Sequence, residues 1–417
     1  MRLSAGAVVA GILLSLAAGA SSAETPAAEW TRFRGPDGAG ISSATTIPVK
    51  WTEKDFNWKV KLPAEGHSSP VVWGDRLFVT CGDRETAQRI ILCLKTSDGS
   101  TVWERRYDSA KHVVNPANSY AASTPAVDAD HLYVYWTTRD EITLLALDHS
   151  GKEVWRRTFG EFISEHGSGA SPIVFGDLVV LPNDQEGNSS ILAVDRKTGQ
   201  TRWTLPRTTA KAAYGTPCVY RPEGGPPELI LTSNGHGVTS LDPKTGQVNW
   251  ELKDAFSLRT VNSPVVASGL IVGTCGVGGD AKRLVAVQPG SKKDAQEPKL
   301  VWEQAKSIPY VPTPIARGDL LFLWTDNGVV RCLRSATGEQ AWEARLQDLF
   351  YSSPVCADGR LYCVSRKGTC YVIAASEKYE LLATNPLGEG SHATPAITGG
   401  VLYLRTFNHL ISLGGKK

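Results

Sequence analysis

One segment, SILAVDRKTGQTRW from Ser190 to Trp203, recurs along this chain and leaves it few architectures. It opens as a short apolar strand, turns through Asp195, Lys197, Thr198 and Gly199, and enters a second strand that carries Trp203. Gly199 supplies the positive φ of a tight turn, and Asp or Thr beside it can hydrogen-bond the turn's own backbone, so local chemistry predicts a hairpin. The same frame, with Asp148 or Asp242 at the turn and Gly246 standing as Gly199 does, ends at Trp155 and Trp250. Looser copies end at Trp103 and Trp342, and a copy with an insertion ends at Trp302.

A second marker precedes each copy: Ser or Thr, then Pro, then an apolar strand. It occurs eight times, at Pro70, Pro125, Pro172, Pro217, Pro264, Pro314, Pro354 and Pro395. The markers lie roughly 40 to 55 residues apart, the interval of four-stranded propeller blades and too long for most solenoids. The strands within a unit are short and alternating, with turn signals such as Asp358-Gly359 and Lys367-Gly368 between them. The predicted fold is therefore all-β, a closed eight-bladed β-propeller of four-stranded antiparallel blades. A large ring at the same point of every blade packs most simply between neighbouring sheets, so Trp103, Trp155, Trp203, Trp250, Trp302 and Trp342 read as structural.

Taken in order, residues 1–23 carry Arg2, an apolar Leu- and Ala-rich run and a small-residue cleavage pattern, Ser21-Ser22-Ala23. This predicts a signal peptide and a periplasmic or secreted protein. No Cys follows the run to accept a lipid, and no later stretch is long and apolar enough to span a bilayer. Residues 24–50 form an N-terminal extension, with the turn-rich TRFRGPDGAGI outside the repeat, and residues 51–417 form the propeller. The last unit stops without its Trp strand, while FNWKVKL from Phe56 to Leu62 supplies a Trp strand with no unit of its own. An open ring would expose strand edges, so the strand of Trp58 is expected to complete the C-terminal blade. Tyr107 to Tyr120, PEGGPP from Pro222, and Ser291 to Pro298 are insertions read as surface decoration.

Charge and cysteine narrow the partners. With 44 Lys and Arg against 42 Asp and Glu, the net charge is +2, and losing Arg2 with the signal leaves 43 − 42 = +1. Nothing in that balance calls for nucleic acid. Eight Cys in an exported chain permit disulfides, with Cys81 and Cys93 or Cys363 and Cys370 as candidate pairs on neighbouring strands, and they equally suit small buried strand positions.

Ala193 to Gly199 and Leu241 to Gly246, each followed by its Trp, resemble the PQQ-type propeller repeat. The resemblance extends over essentially all of the mature chain, and FRGPDGAGI resembles secreted propellers of planctomycete-type bacteria. It implies one of two kinds of protein. One is a non-enzymatic scaffold similar to the BamB family, a monomer with protein partners in the cell envelope; the absence of a lipid-attachment Cys departs from that family. The alternative is a quinoprotein dehydrogenase holding PQQ and calcium, whose cofactor is gripped by two adjacent cysteines, a stacking Trp and an Asp base. No two Cys are adjacent here, and no Cys-x-x-Cys-His is present for a haem. The scaffold reading therefore expects no cofactor, no metal and no catalytic residue, and Gly-x-Ser-x-Gly, His-Glu-x-x-His and phosphate-loop motifs are absent too.

The strand nearest the axis opens each blade, so the residue three before each marker Pro should stand at the channel mouth. Those positions are His67, Ala122, Gly169, Tyr214, Val261, Val311, Tyr351 and His392. Closure of blade eight on blade one brings Tyr351, His392 and His67 from consecutive blades. Two imidazoles and a phenol on one rim, with Tyr214 across from them, are candidates to bind a ligand, an anion or a metal, or to bond neighbouring loops and water. A metal would want a third strong ligand, for which Asp83, Asp326 and Glu389 are the nearby loop acids.

Overall fold

The computed structural model describes residues 29–278 and 280–415. The predicted signal peptide lies outside the described residues. Eight antiparallel four-stranded sheets form the body of the molecule. Blades 1 to 8 begin at the inner strands Val71–Trp73, Ala126–Val127, Ile173–Phe175, Cys218–Tyr220, Val265–Ala267, Ile315–Arg317, Val355–Ala357 and Ala396–Thr398. Each starts directly after its Ser/Thr-Pro marker. Middle strands such as Leu178–Asn183 are buried throughout because another blade covers each face, while the outer strand Thr201–Thr209 alternates exposed and buried.

Blade 8 is shared between the two ends of the chain, as the missing Trp strand predicts. Phe56–Lys61 pairs antiparallel with His409–Gly414, setting Trp58 opposite Ser412. Exposed strand edges would invite pairing with other chains, and this exchange removes the one where the ring closes.

The repeat Trp explains how blades grip one another. Trp155 Nε1 donates to the Arg196 carbonyl of the next blade at 3.0 Å, and Trp203 Nε1 to the Pro243 carbonyl at 3.1 Å. Trp58, Trp103, Trp302 and Trp342 make the same bond to Thr96, His149, Ser335 and Ser376. The indole lies flush against the turn glycine of that next blade, except for Trp342, whose facing turn has no glycine and meets it with Tyr379. A Cβ at Gly199 would sit 2.7 Å from the Trp155 ring, and one at Gly246 only 2.5 Å from Trp203, both at positive φ (70° and 72°). Asp148, Asp195 and Asp242 hold these turns by accepting backbone N–H bonds from two residues each. Trp250 differs: it bonds the Glu228 carboxylate of its own blade at 3.0 Å, because the facing turn carries the insertion at Ser291.

Two expectations need adjustment. Cys81 faces Ile90, Cys93 faces Phe78, Cys363 faces Tyr371 and Cys370 faces Val364, and all eight Cys are free and buried. Burial pushes the Cys93 thiol up to about 12. The extension also does more than precede the propeller. Glu29–Trp30 adds a fifth strand to blade 1, antiparallel to Val71–Trp73, and Ile41–Ser42 adds one to blade 7, parallel to Val355–Ala357. Between them the chain reaches blades 4 and 6, where Arg32 Nη1 donates to the Pro217 carbonyl (2.9 Å) and Arg34 Nη1 to the Thr313 carbonyl (2.8 Å). Ile47 and Trp51 then bury in the core shared by blades 7, 8 and 1. Among the described residues no helix is long and apolar enough to cross a membrane.

Candidate functional site

The eight residues three before the marker prolines all line one axial cavity of about 490 Å3. The expected grouping is present in it. The His67 and His392 rings lie 4.6 Å apart between centroids, and Tyr351 meets His392 edge-on at 4.9 Å. Phe407 packs against both imidazoles, and the Arg366 guanidinium covers Tyr351 at 4.5 Å. Tyr214 stands apart from this cluster, its hydroxyl 2.8 Å from Ser164 Oγ.

Beneath this tier runs a ring built from the markers themselves. At seven of the eight junctions the backbone N–H of the Ser or Thr donates to the side-chain hydroxyl of the next blade's marker, running from Ser69 through Thr124, Ser171, Thr216, Ser263, Thr313 and Ser353 to Thr394, at 2.9–3.2 Å. The marker residues from Thr124 to Thr394 also line the cavity. Ser and Thr are required because a buried N–H needs an acceptor, and their short side chains place one at the radius where eight blades converge.

Both histidines are neutral at physiological pH. Burial, reinforced by His392, Arg405 and Arg84, depresses His67 to about 2. Burial and Arg366 depress His392 to about 4. His392 bonds the Ala117 backbone, and its buried Nδ1 has no hydrogen-bond partner among the described residues. Neutral imidazoles are competent ligands and acceptors, but the candidate acids do not join them. Asp83 accepts N–H bonds from Glu85 and Thr86 in its own loop. Asp326 accepts from Tyr310 and Val311 N–H, and burial raises it to about 7. Glu389 is opposed by burial yet held at about 2 by bonds from Thr406, His409 and Asn408. Elsewhere Asp128, Asp130 and His131 converge, but Arg196 already pairs with Asp128 at 2.7 Å and Asp130 at 3.3 Å.

Several lining residues escaped the sequence reading. Phe33 comes from the extension and contributes to the cavity, so that end of the axis is not simply open. Asn115 and Asn118 come from the insertion Tyr107 to Tyr120, which is no mere decoration. Asn118 Nδ2 donates to the His166 and Ser168 carbonyls at 2.8 and 3.1 Å, and Arg84 donates to the Asn118 carbonyl at 2.7 Å. His166 and Tyr310 complete the rim, with Arg259 donating to His166 Nε2 and Glu165, each at 2.6 Å. Their offsets differ from blade to blade, so no repeat marks them.

The residues present do not suit PQQ with calcium. Among the described lining residues there is no carboxylate to hold a calcium ion, no Cys and no Trp. The repeat Trp residues are committed to blade junctions instead.

Comparison with known proteins places this architecture. A family model described as outer membrane protein assembly factor BamB matches residues 88–343 and again 292–414. No curated protein matches the chain. BamB from Moraxella catarrhalis superposes with a TM-score of 0.60 at 16% identity, covering 90% of this chain and 98% of that one. Quinohemoprotein alcohol dehydrogenase from Comamonas testosteroni gives 0.64 at 13% identity, covering 93% and 81%. A europium-containing methanol dehydrogenase gives 0.61 at 14%, covering 90% and 89%. At such identities the structural likenesses establish the fold alone, and scaffold and enzyme share it.

Proposed function

Since the chain belongs to the PQQ-repeat propeller family described by BamB, we propose that it is an exported, non-enzymatic propeller that binds a protein partner of the cell envelope. The cavity-bearing face is the binding face. One observation carries this reading: apolar side chains stand exposed on the loops and at a strand end of that face, Val113 at 87%, Val277 at 54%, Leu349 at 48% and Ile163 at 44%. Exposed apolar side chains on the loops of a face are suited to being covered by a partner, and loops on a rigid scaffold commonly carry recognition. The dehydrogenase alternative lacks comparable support, because the described cavity wall offers neither a carboxylate for calcium nor a stacking indole.

The test pairs capture with reconstitution. Immobilised mature protein should retain a discrete partner from envelope extract, and Val113→Asp with Leu349→Asp should abolish retention without altering the melting temperature. Dye reduction by an alcohol or sugar that depends on added PQQ and calcium would overturn the reading.

A further inference from the structure

The axial hydroxyls are only half used. Each of the seven from Thr124 to Thr394 accepts a backbone N–H, and among the described residues none donates its O–H to a protein acceptor. All seven are at least nine-tenths buried, yet they line the cavity. A hydroxyl whose lone pair is taken by an N–H directs its proton elsewhere, and here the space left is the axis. The ring therefore presents convergent donors with no acceptor among them.

Positive charge stands directly behind that ring. Arg32 and Arg34, 3% and 1% exposed, bond carbonyls of Pro217 and Thr313, next to or within the ring. Neither forms an ion pair among the described residues. Among the described residues Arg32 Nε and Nη2 and Arg34 Nε have no hydrogen-bond partner. Asp37, the carboxylate that acts on both, bonds the Ala39 N–H in its own exposed turn. Buried guanidinium without a counter-charge is costly, and burial lowers Arg32 to about 10 and Arg34 to about 9. The fold retains two of them around Phe33, which itself lines the cavity.

We propose that the axial cavity is an oxyanion site, taking a carboxylate, phosphate or sulfate group that accepts from the hydroxyl ring while Arg32 and Arg34 supply the countercharge. His392, whose bond to the Ala117 carbonyl occupies Nε2, offers Nδ1 as an acceptor for an anion that still carries a proton. The anion is free in solution or forms the end of a larger ligand, such as the terminal carboxylate of a peptide. This inference deepens the proposed binding role by naming what the cavity takes, and it rests on that face being the binding face.

The experiment uses the mature protein with inorganic phosphate, sulfate and acetate, and with glycerol as the neutral control. Imidazole resonances of the eight histidines report where each probe binds. Saturable shifts of His67 and His392 by the anions, with His131 and His149 unmoved and glycerol inert, are expected. Arg34→Gln should weaken phosphate at least tenfold, and Arg34→Lys should restore part of that. A peptide with a free terminal carboxylate competing with phosphate, while its amidated form does not, identifies the larger-ligand source. Shifts only at other histidines, or none with any anion at millimolar concentration, overturn the proposal. Should glycerol alone move His67 and His392, the oxyanion inference fails while the cavity's binding role stands. Loss of partner capture with anion binding intact sinks the scaffold reading instead.

Discussion

The junction between blades 3 and 4 and the junction between blades 8 and 1 solve one packing problem with different means. At the first, Ser171 N–H donates to Thr216 Oγ1 near the axis, and Trp203 seats against the Gly246 turn farther out. At the second, the outer contact survives, with Trp58 against Gly99 and bonded to the Thr96 carbonyl. The axial contact does not: Ser69 Oγ is buried with no hydrogen-bond partner among the described residues. Arg405 of blade 8 replaces it by donating to the Ser68 carbonyl (3.0 Å), Ser68 Oγ (2.6 Å) and the Thr80 carbonyl (2.7 Å) of blade 1. The repeat thus builds every junction it can template. Where the two termini meet, one fully buried guanidinium ties several acceptors at once.

The same seam holds the titratable pair, which sets the largest expected effect. His67 and His392 are bases whose folded values lie below the unfolded 6.5, so their contribution is fully present above pH 6.5 and is lost as pH falls, to about 4 for His392 and about 2 for His67. Each should cost about 1.4 kcal/mol per pH unit between pH 6.5 and 4. Urea unfolding of the native protein should weaken steeply over that range, while the double variant His67→Asn, His392→Asn should follow a shallower line. Parallel lines would show that acid does not act at the seam. Next in size, Arg405→Met should cost about 3 kcal/mol by the same assay, because it removes three charge-assisted bonds at once and leaves the Ser68 carbonyl without its donor. A cost below that of a templated junction would reverse the comparison.

How legible these regions were follows from what repeats. Trp, turn Gly and marker Pro recur at fixed offsets, so blade number, closure through Trp58 and the tier of His67, Tyr214, Tyr351 and His392 could be placed from spacing alone. Phe33, Asn115 and Tyr310 reach the cavity from an extension, an insertion and a connecting loop, each unique in the sequence. Arg405 sits on a strand where other blades carry Asn183, Ser233 or Trp324. Its role depends on a neighbour 337 residues away in sequence, and no local pattern announces such a contact. The marker hydroxyls were visible as a pattern, but that they bond one another required the ring to be closed.

At a templated junction the outer and axial contacts can be weighed against each other. Gly199→Ala forces a Cβ to within 2.7 Å of the Trp155 ring at a φ of 70°, and should cost about 2 kcal/mol, combining strain with a displaced indole. Ser263→Ala removes the acceptor of the Thr216 N–H, a buried donor with a 2.9 Å bond, and should cost about 1 kcal/mol. Ser69→Ala is the matched control at the seam. Its hydroxyl serves no donor, so deleting a buried unsatisfied group should be neutral to within about 0.5 kcal/mol. Both variants keep the backbone and lose the same atom, so a difference in unfolding midpoint between them measures the axial bond itself. Equal losses would mean that the ring closes at Ser69 after all and that Arg405 supplements the repeat instead of replacing it.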